Sequence, residues 1–256
     1  MTDNVPGPGP VPPAASHPSF WSAPRRRPAF LLLLATGQAL FLIWLPGGAR
    51  ASLGVALGAH WGLVALLFLF ALVTLSLIWS AGQRLDTRLF LLINMRVHPK
   101  ALDRCMWLAT QLGNMLVALI TAFVFFLLNY RALAVEIILG TLTLWLLVET
   151  IKILSDRDRP FLTLVKARVI GWREKGDSFP SGHTAQIFFL ATLLSHRFPL
   201  GWGGTVALYA VAALVGFTRM YVGAHYPRDV IGGAVLGSVW GILATLVDPY
   251  WFGLRF

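Results

Sequence analysis

The chain is 256 residues long, 57% of them hydrophobic and only 12% charged, about half the charge of an ordinary soluble domain, which excludes a soluble globule. Its formal charge of +10 is broken into patches beside apolar runs, a distribution that suits lipid headgroups or an anionic substrate and not a nucleic acid. Cys105 is the only cysteine, which excludes an internal disulfide and any cysteine-based zinc cluster.

From the N-terminus, residues 1–27 are rich in Pro, Gly, Ala and Ser without apolar periodicity, and a disordered tail is predicted. Residues 28–58 follow as an additional N-terminal membrane segment and its loop. The stretch Arg25 to Pro46 has the basic start and apolar middle of a signal peptide but no clear small-residue cleavage site. Residues 59–256 form the main transmembrane domain. Apolar segments run over 29–46, 61–80, 108–129, 133–151, 183–199, 203–218 and 229–247, close to the ~20 residues with which a helix crosses hydrocarbon. The predicted fold class is all-α, a polytopic transmembrane helical bundle of six to seven spans.

Between the second and third spans, residues 83–107 return Leu85, Leu89, Leu92 and Ile93 at helical spacing, with Arg84, Asp86, Arg88 and Arg96 on other faces. That pattern predicts an amphipathic helix lying in the membrane interface. The short turns 129–131 and 195–199 fall on one side of the bundle, so the polar segments 152–182 and 219–229 meet on the other. Arg131 and Arg197 read as snorkelling anchors, and His60, His98 and His196 as structural or interfacial residues. Gly232, Gly233 and Gly237 permit close helix packing, within the bundle or between chains.

Three clusters gather on the polar side: Lys152 to Arg159-Pro160, Pro180-Ser181-Gly182-His183, and Thr218-Arg219 with His225 and Asp229. Together they offer cations, a hydroxyl, a glycine, two histidines and a carboxylate, a set suited to phosphoryl transfer, where positioning and electrostatics dominate. Arginine grips two phosphate oxygens at once and lysine adds a mobile charge. A helix starting near Ser181 would aim its free N–H groups at the same anion. One histidine can attack phosphorus while the other protonates the departing oxygen. Asp229, four residues after His225, is placed to fix the nucleophile's other nitrogen. Glu149 reads as a partner for Arg157 or Arg159, supporting the cationic cluster. There is no HExxH, paired-acid or cysteine site for a metal.

These clusters resemble the signature of the type 2 phosphatidic acid phosphatase family, the membrane branch of the superfamily shared with vanadium haloperoxidases: Lys-x6-Arg-Pro, Pro-Ser-Gly-His, and Ser-Arg-x5-His-x3-Asp. Spacing matches throughout, with Thr218 standing where the family has Ser. The resemblance implies His225 as a nucleophile forming a phosphohistidine, Asp229 orienting it and His183 as general acid. It implies Lys152, Arg159, Ser181, Gly182 and Arg219 as phosphate ligands, with no metal or other cofactor. Lys166, Arg168, Trp172, Arg173 and Lys175, between the first two clusters, are candidates for headgroup selection.

The implied function is hydrolysis of a lipid phosphate such as phosphatidic acid, phosphatidylglycerol phosphate or undecaprenyl diphosphate. Lipid phosphotransfer by the same intermediate, or non-catalytic lipid binding or transport, are the alternatives. The implied location is the cell membrane, multi-pass, with the active site on the extracytoplasmic face. The implied partners are the substrate and membrane lipids, with no nucleic acid and the oligomeric state left open.

Overall fold

The structure is a computed structural model, and it describes residues 58–96 and 99–252 together with Thr36 and Val55, with side chains as far as residue 246. The predicted tail, 1–27, lies outside the described residues, as does the predicted span 29–46 apart from Thr36. The chain divides into two units, Met1–Pro46 and Gly47–Phe256, and the helices named here all belong to the second.

In chain order these are α1 (Trp61–Ser76), α2 (Ser80–Asn94), α3 (Lys100–Thr110), α4 (Met115–Leu127), α5 (Arg131–Ser155), the one-turn α6 (Pro160–Thr163), α7 (Gly182–Arg197), α8 (Gly201–Tyr221) and α9 (Pro227–Phe252), with no strand among the described residues. Local chemistry sets several of the ends. Asn114 caps α4 by accepting from the Leu116 N–H, and Ser181 caps α7 through the Thr184 N–H. Pro160 and Pro227 open α6 and α9, where a missing N–H costs nothing. Asp156 ends α5 in the left-handed conformation.

Arg131–Thr163, Gly201–Tyr221 and Pro227–Leu246 are each long and apolar enough to cross a membrane, and the bent pairs α1–α2 and α3–α4 raise the number to five. The central α7, 16 residues long, is not among these. Outward-facing Phe68, Phe123, Trp145, Leu146 and Val206 give the bundle an apolar exterior, as lipid requires.

The segment 83–107 holds two helices and not one: α2 ends at Asn94 and α3 begins at Lys100, with Pro99 in its N-cap position. Helix α2 turns 96° away from α1, as a helix lying along the interface would. Its Leu85, Leu89 and Leu92 face outward, whereas Asp86, Phe90 and Asn94 are buried in the protein. Asn94 uses its whole amide there: Nδ2 donates to the carbonyls of Arg168 and Tyr221, both at 2.9 Å, and Oδ1 accepts from the Arg168 N–H at 2.7 Å. This one side chain ties α2, the α6–α7 loop and the end of α8 together.

Helices α7 and α9 pack most closely, and glycine makes the approach possible. A Cβ on Gly233 would lie 2.5 Å from the Ser181 carbonyl oxygen, and one on Gly237 would lie 2.1 Å from that of Ala185. The small residues therefore serve packing within the chain. Around this contact Ile137, Leu144, Phe189, Leu193 and Leu236 form the buried core. At the far end of α5, Arg197 donates to Glu136 Oε2 from Nε at 3.0 Å, so it is half of an ion pair and not a snorkelling anchor.

Candidate active site

The ends of α5 and α8, the starts of α7 and α9 and the intervening loops converge on one cluster. A cavity of about 330 Å³ is walled by Lys152, Arg159, Gly182, His183 and His225, with Leu144, Trp145 and Val148 on its apolar side. A neighbouring cavity of about 220 Å³ has Arg219 and Trp172 in its wall beside Trp107 and Ile170, and His183 and Glu174 border both. All three sequence clusters thus reach one place. Among the described residues, no group of three or more His, Cys, Asp or Glu side chains is arranged to hold a metal ion.

His225 is fixed from both ring nitrogens. Nδ1 is 2.8 Å from the Ser178 carbonyl oxygen, which can only accept. Nε2 is 3.3 Å from Arg159 Nη1, which can only donate. The proton therefore sits on Nδ1, and Nε2 keeps its lone pair turned to the cavity. Burial, reinforced by Arg159 and Arg219, holds the ring's pKa well below the ordinary histidine value, so the neutral form prevails.

Asp229 holds His225 less directly than its spacing suggested. Its Oδ2 is 3.7 Å from His225 Nδ1, beyond hydrogen-bonding distance. That carboxylate is instead occupied: Oδ2 accepts from Ser178 Oγ at 2.5 Å and the Tyr226 N–H at 2.8 Å, and Oδ1 accepts from Arg157. Asp229 positions Ser178, whose carbonyl in turn holds the imidazole.

Arg157 also reaches Asp86 Oδ2 at 2.5 Å and stacks over the Tyr226 ring at 4.6 Å. Asp86 further accepts from Arg228 Nε at 2.6 Å, so a buried chain of charges runs from the interfacial α2 to the back of the site. Glu149 is not part of it: the acid pairs with Lys152 at 2.7 Å, one turn along α5, whereas Arg157 and Arg159 find other partners.

The predicted phosphate ligands divide. Lys152, Arg159 and Gly182 face the larger cavity, and Arg219 faces the smaller. Ser181 is fully buried, with its oxygen accepting from Thr184 Oγ1 at 2.9 Å as part of the cap. The Thr218 hydroxyl bonds back to the Val215 carbonyl at 2.6 Å, so its methyl substitution for Ser changes nothing the helix uses. Of the headgroup candidates, Trp172 and Lys175 line the cavities. Arg168 is tied to Asp103 at 2.8 Å, and Lys166 and Arg173 are exposed and border neither cavity.

Foremost among the residues that sequence reasoning missed is Glu174. Its Oε2 accepts from Arg159 Nη1 at 2.9 Å and its Oε1 from Arg219 Nη2. Burial alone would raise this carboxyl, but Arg219, the two histidines and Arg159 together hold it well below the usual carboxylate range. Nothing in the run Trp172-Arg173-Glu174-Lys175 marked it out, because both of its arginine partners lie elsewhere in the chain.

Comparison with known proteins finds relatives of one family. The PAP2 superfamily model matches residues 130–252. A lipid A 4'-phosphatase of Porphyromonas gingivalis is 32% identical over 184 residues, 66% of this chain and 76% of that protein. A putative undecaprenyl-diphosphatase of Escherichia coli, YbjG, is 30% identical over 119 residues, 46% of this chain; the chain spans 58% of that relative's length. The crystal structure of a transmembrane PAP2-type phosphatidylglycerolphosphate phosphatase from Bacillus subtilis superposes with a TM-score of 0.60 at 25% identity, covering 75% of this chain and 98% of that one.

Proposed function

The chain belongs to the PAP2 superfamily, and on that premise we propose that it is a membrane-embedded lipid phosphate phosphatase acting through a phosphohistidine on His225. The observation that carries the reading is the fixed tautomer of His225, with Nε2 unprotonated, buried and accepting from Arg159. A histidine held for structure alone has no need of a guanidinium pointed at its unprotonated nitrogen.

In the proposed reaction the terminal phosphate sits between Arg159, Arg219 and Lys152, and Nε2 of His225 attacks phosphorus in line with the leaving oxygen. As the P–N bond forms the P–O bond breaks, and His183 gives its proton to the departing oxygen. Nδ1–H keeps its bond to the Ser178 carbonyl, which stabilises the charge arriving on the ring. Water, deprotonated by the now neutral His183, then attacks phosphorus, and the P–N bond breaks to release inorganic phosphate and restore both histidines. The arginines and Lys152 supply the charge neutralisation.

The substrate's chain enters the apolar side of the larger cavity, along Leu144, Trp145 and Val148. The relatives' names support phosphatidylglycerol phosphate, undecaprenyl diphosphate and lipid A phosphates as the classes to test first. We place the site on the extracytoplasmic face. A cysteine introduced at exposed Lys166, with Cys105→Ser, should then react with a membrane-impermeant maleimide on intact cells; labelling only after permeabilisation reverses the orientation.

The deciding experiment is phosphate release by the detergent-purified protein from lipid mono- and diphosphates, with EDTA present, beside His225→Ala. Release that persists in EDTA and vanishes in the variant is expected. Unchanged release by His225→Ala would sink the mechanism. Transfer of labelled phosphate to an added acceptor lipid, in place of water, would make the protein a phosphotransferase.

A further inference from the structure

Glu174 occupies the position between the two arginines where a substrate phosphate belongs. Its oxygens bond Arg159 and Arg219 and stand 3.9 Å from His183 Nδ1 and from His225 Nε2. Both guanidiniums are buried, at 1% and 2% exposure, whereas the Glu174 side chain is 30% exposed. The carboxylate can therefore leave toward solvent while the cations stay. The neighbouring backbone remains pinned when it does, since Arg159 Nε donates to the Gly176 carbonyl at 2.9 Å and Nη2 to that of Lys175 at 3.3 Å. Arg219 Nε is buried and has no hydrogen-bond partner among the described residues, so the two-oxygen carboxylate does not saturate the donors around it.

We propose that Glu174 is a specificity-determining residue, closing the anion site to the phosphodiester headgroups of the surrounding bilayer and yielding only to a terminal phosphate. The proposal rests on the lipid phosphatase reading above. A phosphodiester carries one negative charge and two free oxygens, as a carboxylate does, so exchanging one for the other against the same arginines gains little. The tethered carboxylate also competes at the high effective concentration of an intramolecular group. A terminal phosphate brings a charge of about −1.5 to −2 and three acceptor oxygens, enough to displace Glu174 and to reach the donor it leaves unused. An enzyme working inside a sheet of phosphodiesters is thereby kept from being filled by its own solvent.

The test compares Glu174→Gln, which keeps the shape and removes the charge, with the wild type. Thermal shifts with inorganic phosphate and with dimethyl phosphate need no turnover. The wild type should be stabilised by phosphate and not by dimethyl phosphate, and the variant by both. In mixed micelles, raising the phosphatidylglycerol fraction should inhibit hydrolysis of a lipid phosphomonoester by the variant at least fivefold more strongly than by the wild type, with non-ionic detergent as the diluent control. Equal discrimination against dimethyl phosphate by both proteins overturns the proposal, whether or not the variant turns over. Glu174→Asp, too short to span both arginines, should fall between the two; if Glu174→Gln does not fold, an Asp variant as selective as the wild type overturns the proposal instead. Failure of the wild type to hydrolyse any lipid phosphate would strike the functional reading, and the thermal shifts would still decide the role of Glu174.

Discussion

Arg157 and Asp229 form a buried ion pair across 72 residues of sequence, with Nη1 of the arginine on Oδ1 of a carboxylate that is 0% exposed. The pair joins the exit of α5 to the start of α9 directly behind His225. It also extends to α2, since the same guanidinium binds Asp86 and Gln83. Two carboxylates and a side-chain amide around one cation leave little freedom in this corner of the bundle.

Removing the cation alone should therefore be costly. Arg157→Ala would strand the buried Asp229 and leave Asp86 with Arg228 only. Loss of one partner of a buried pair typically costs about 3–5 kcal/mol, and thermal unfolding in detergent should show a correspondingly large drop. Arg157→Lys should recover part of the stability but not the simultaneous grip on Asp86 and Asp229, because a point charge lacks the planar fork. A melting temperature unchanged in Arg157→Ala would show that the pair contributes nothing.

Ser178→Ala separates the two things that Ser178 does. The variant keeps the carbonyl that fixes His225 Nδ1 and loses only the hydroxyl that donates to Asp229 at 2.5 Å. A hydrogen bond to a charged group is worth about 1.5–3 kcal/mol, so if the hydroxyl holds the carbonyl in place, kcat should fall roughly 10- to 100-fold. KM should change little, since no phosphate ligand is touched. A drop in kcat as deep as that of His225→Ala would mean that the hydroxyl acts in the chemistry itself.

Much of this was legible in the sequence, and the gaps have a physical pattern. The helices and the convergence of Lys152, Arg159, His183, Arg219 and His225 follow from apolar runs and fixed spacings, which a linear text preserves. Glu174, Arg157 and Asp86 were not legible as site residues because each acquires its role from a partner far along the chain. Glu149 supports the cationic cluster through Lys152 and not through Arg157 or Arg159: both stand near it in sequence, but the helix ends at Ser155 and they find other partners. The amphipathic pattern of α2 did not say which face meets the protein; buried Asp86 and Asn94 put part of its polar side there.

The neutral state of His225 predicts a stability slope on the acid side. Its folded pKa lies well below the ordinary 6.5, so between those values the unfolded chain binds a proton that the folded protein refuses. Stability must then rise with pH across that window and fall as pH drops below about 6.5, by at most ~1.4 kcal/mol per pH unit for one proton. The apparent melting temperature of the wild type should fall more between pH 7 and pH 5 than that of His225→Gln, which cannot titrate. Parallel losses in the two proteins would show that the pKa of His225 is not depressed in the folded state.

Two glycines, Gly237 of α9 and Gly203 of α8, allow a prediction of opposite signs for one substitution. At Gly237 an added methyl would lie 2.1 Å from the Ala185 carbonyl oxygen, a backbone atom that can yield only by parting α7 from α9. Forcing extra atoms into such a contact costs about 1–3 kcal/mol or more. Because Ser181 to His183 begin α7, the same displacement would reach the site, so Gly237→Ala should lower both melting temperature and activity. At Gly203, in the first turns of α8, the same methyl meets nothing within 4 Å. There the gain in helix propensity, up to about 1 kcal/mol, should leave the protein as stable as before or more so. If Gly237→Ala proved as harmless as Gly203→Ala, the close approach of α7 and α9 would not be what holds the site together.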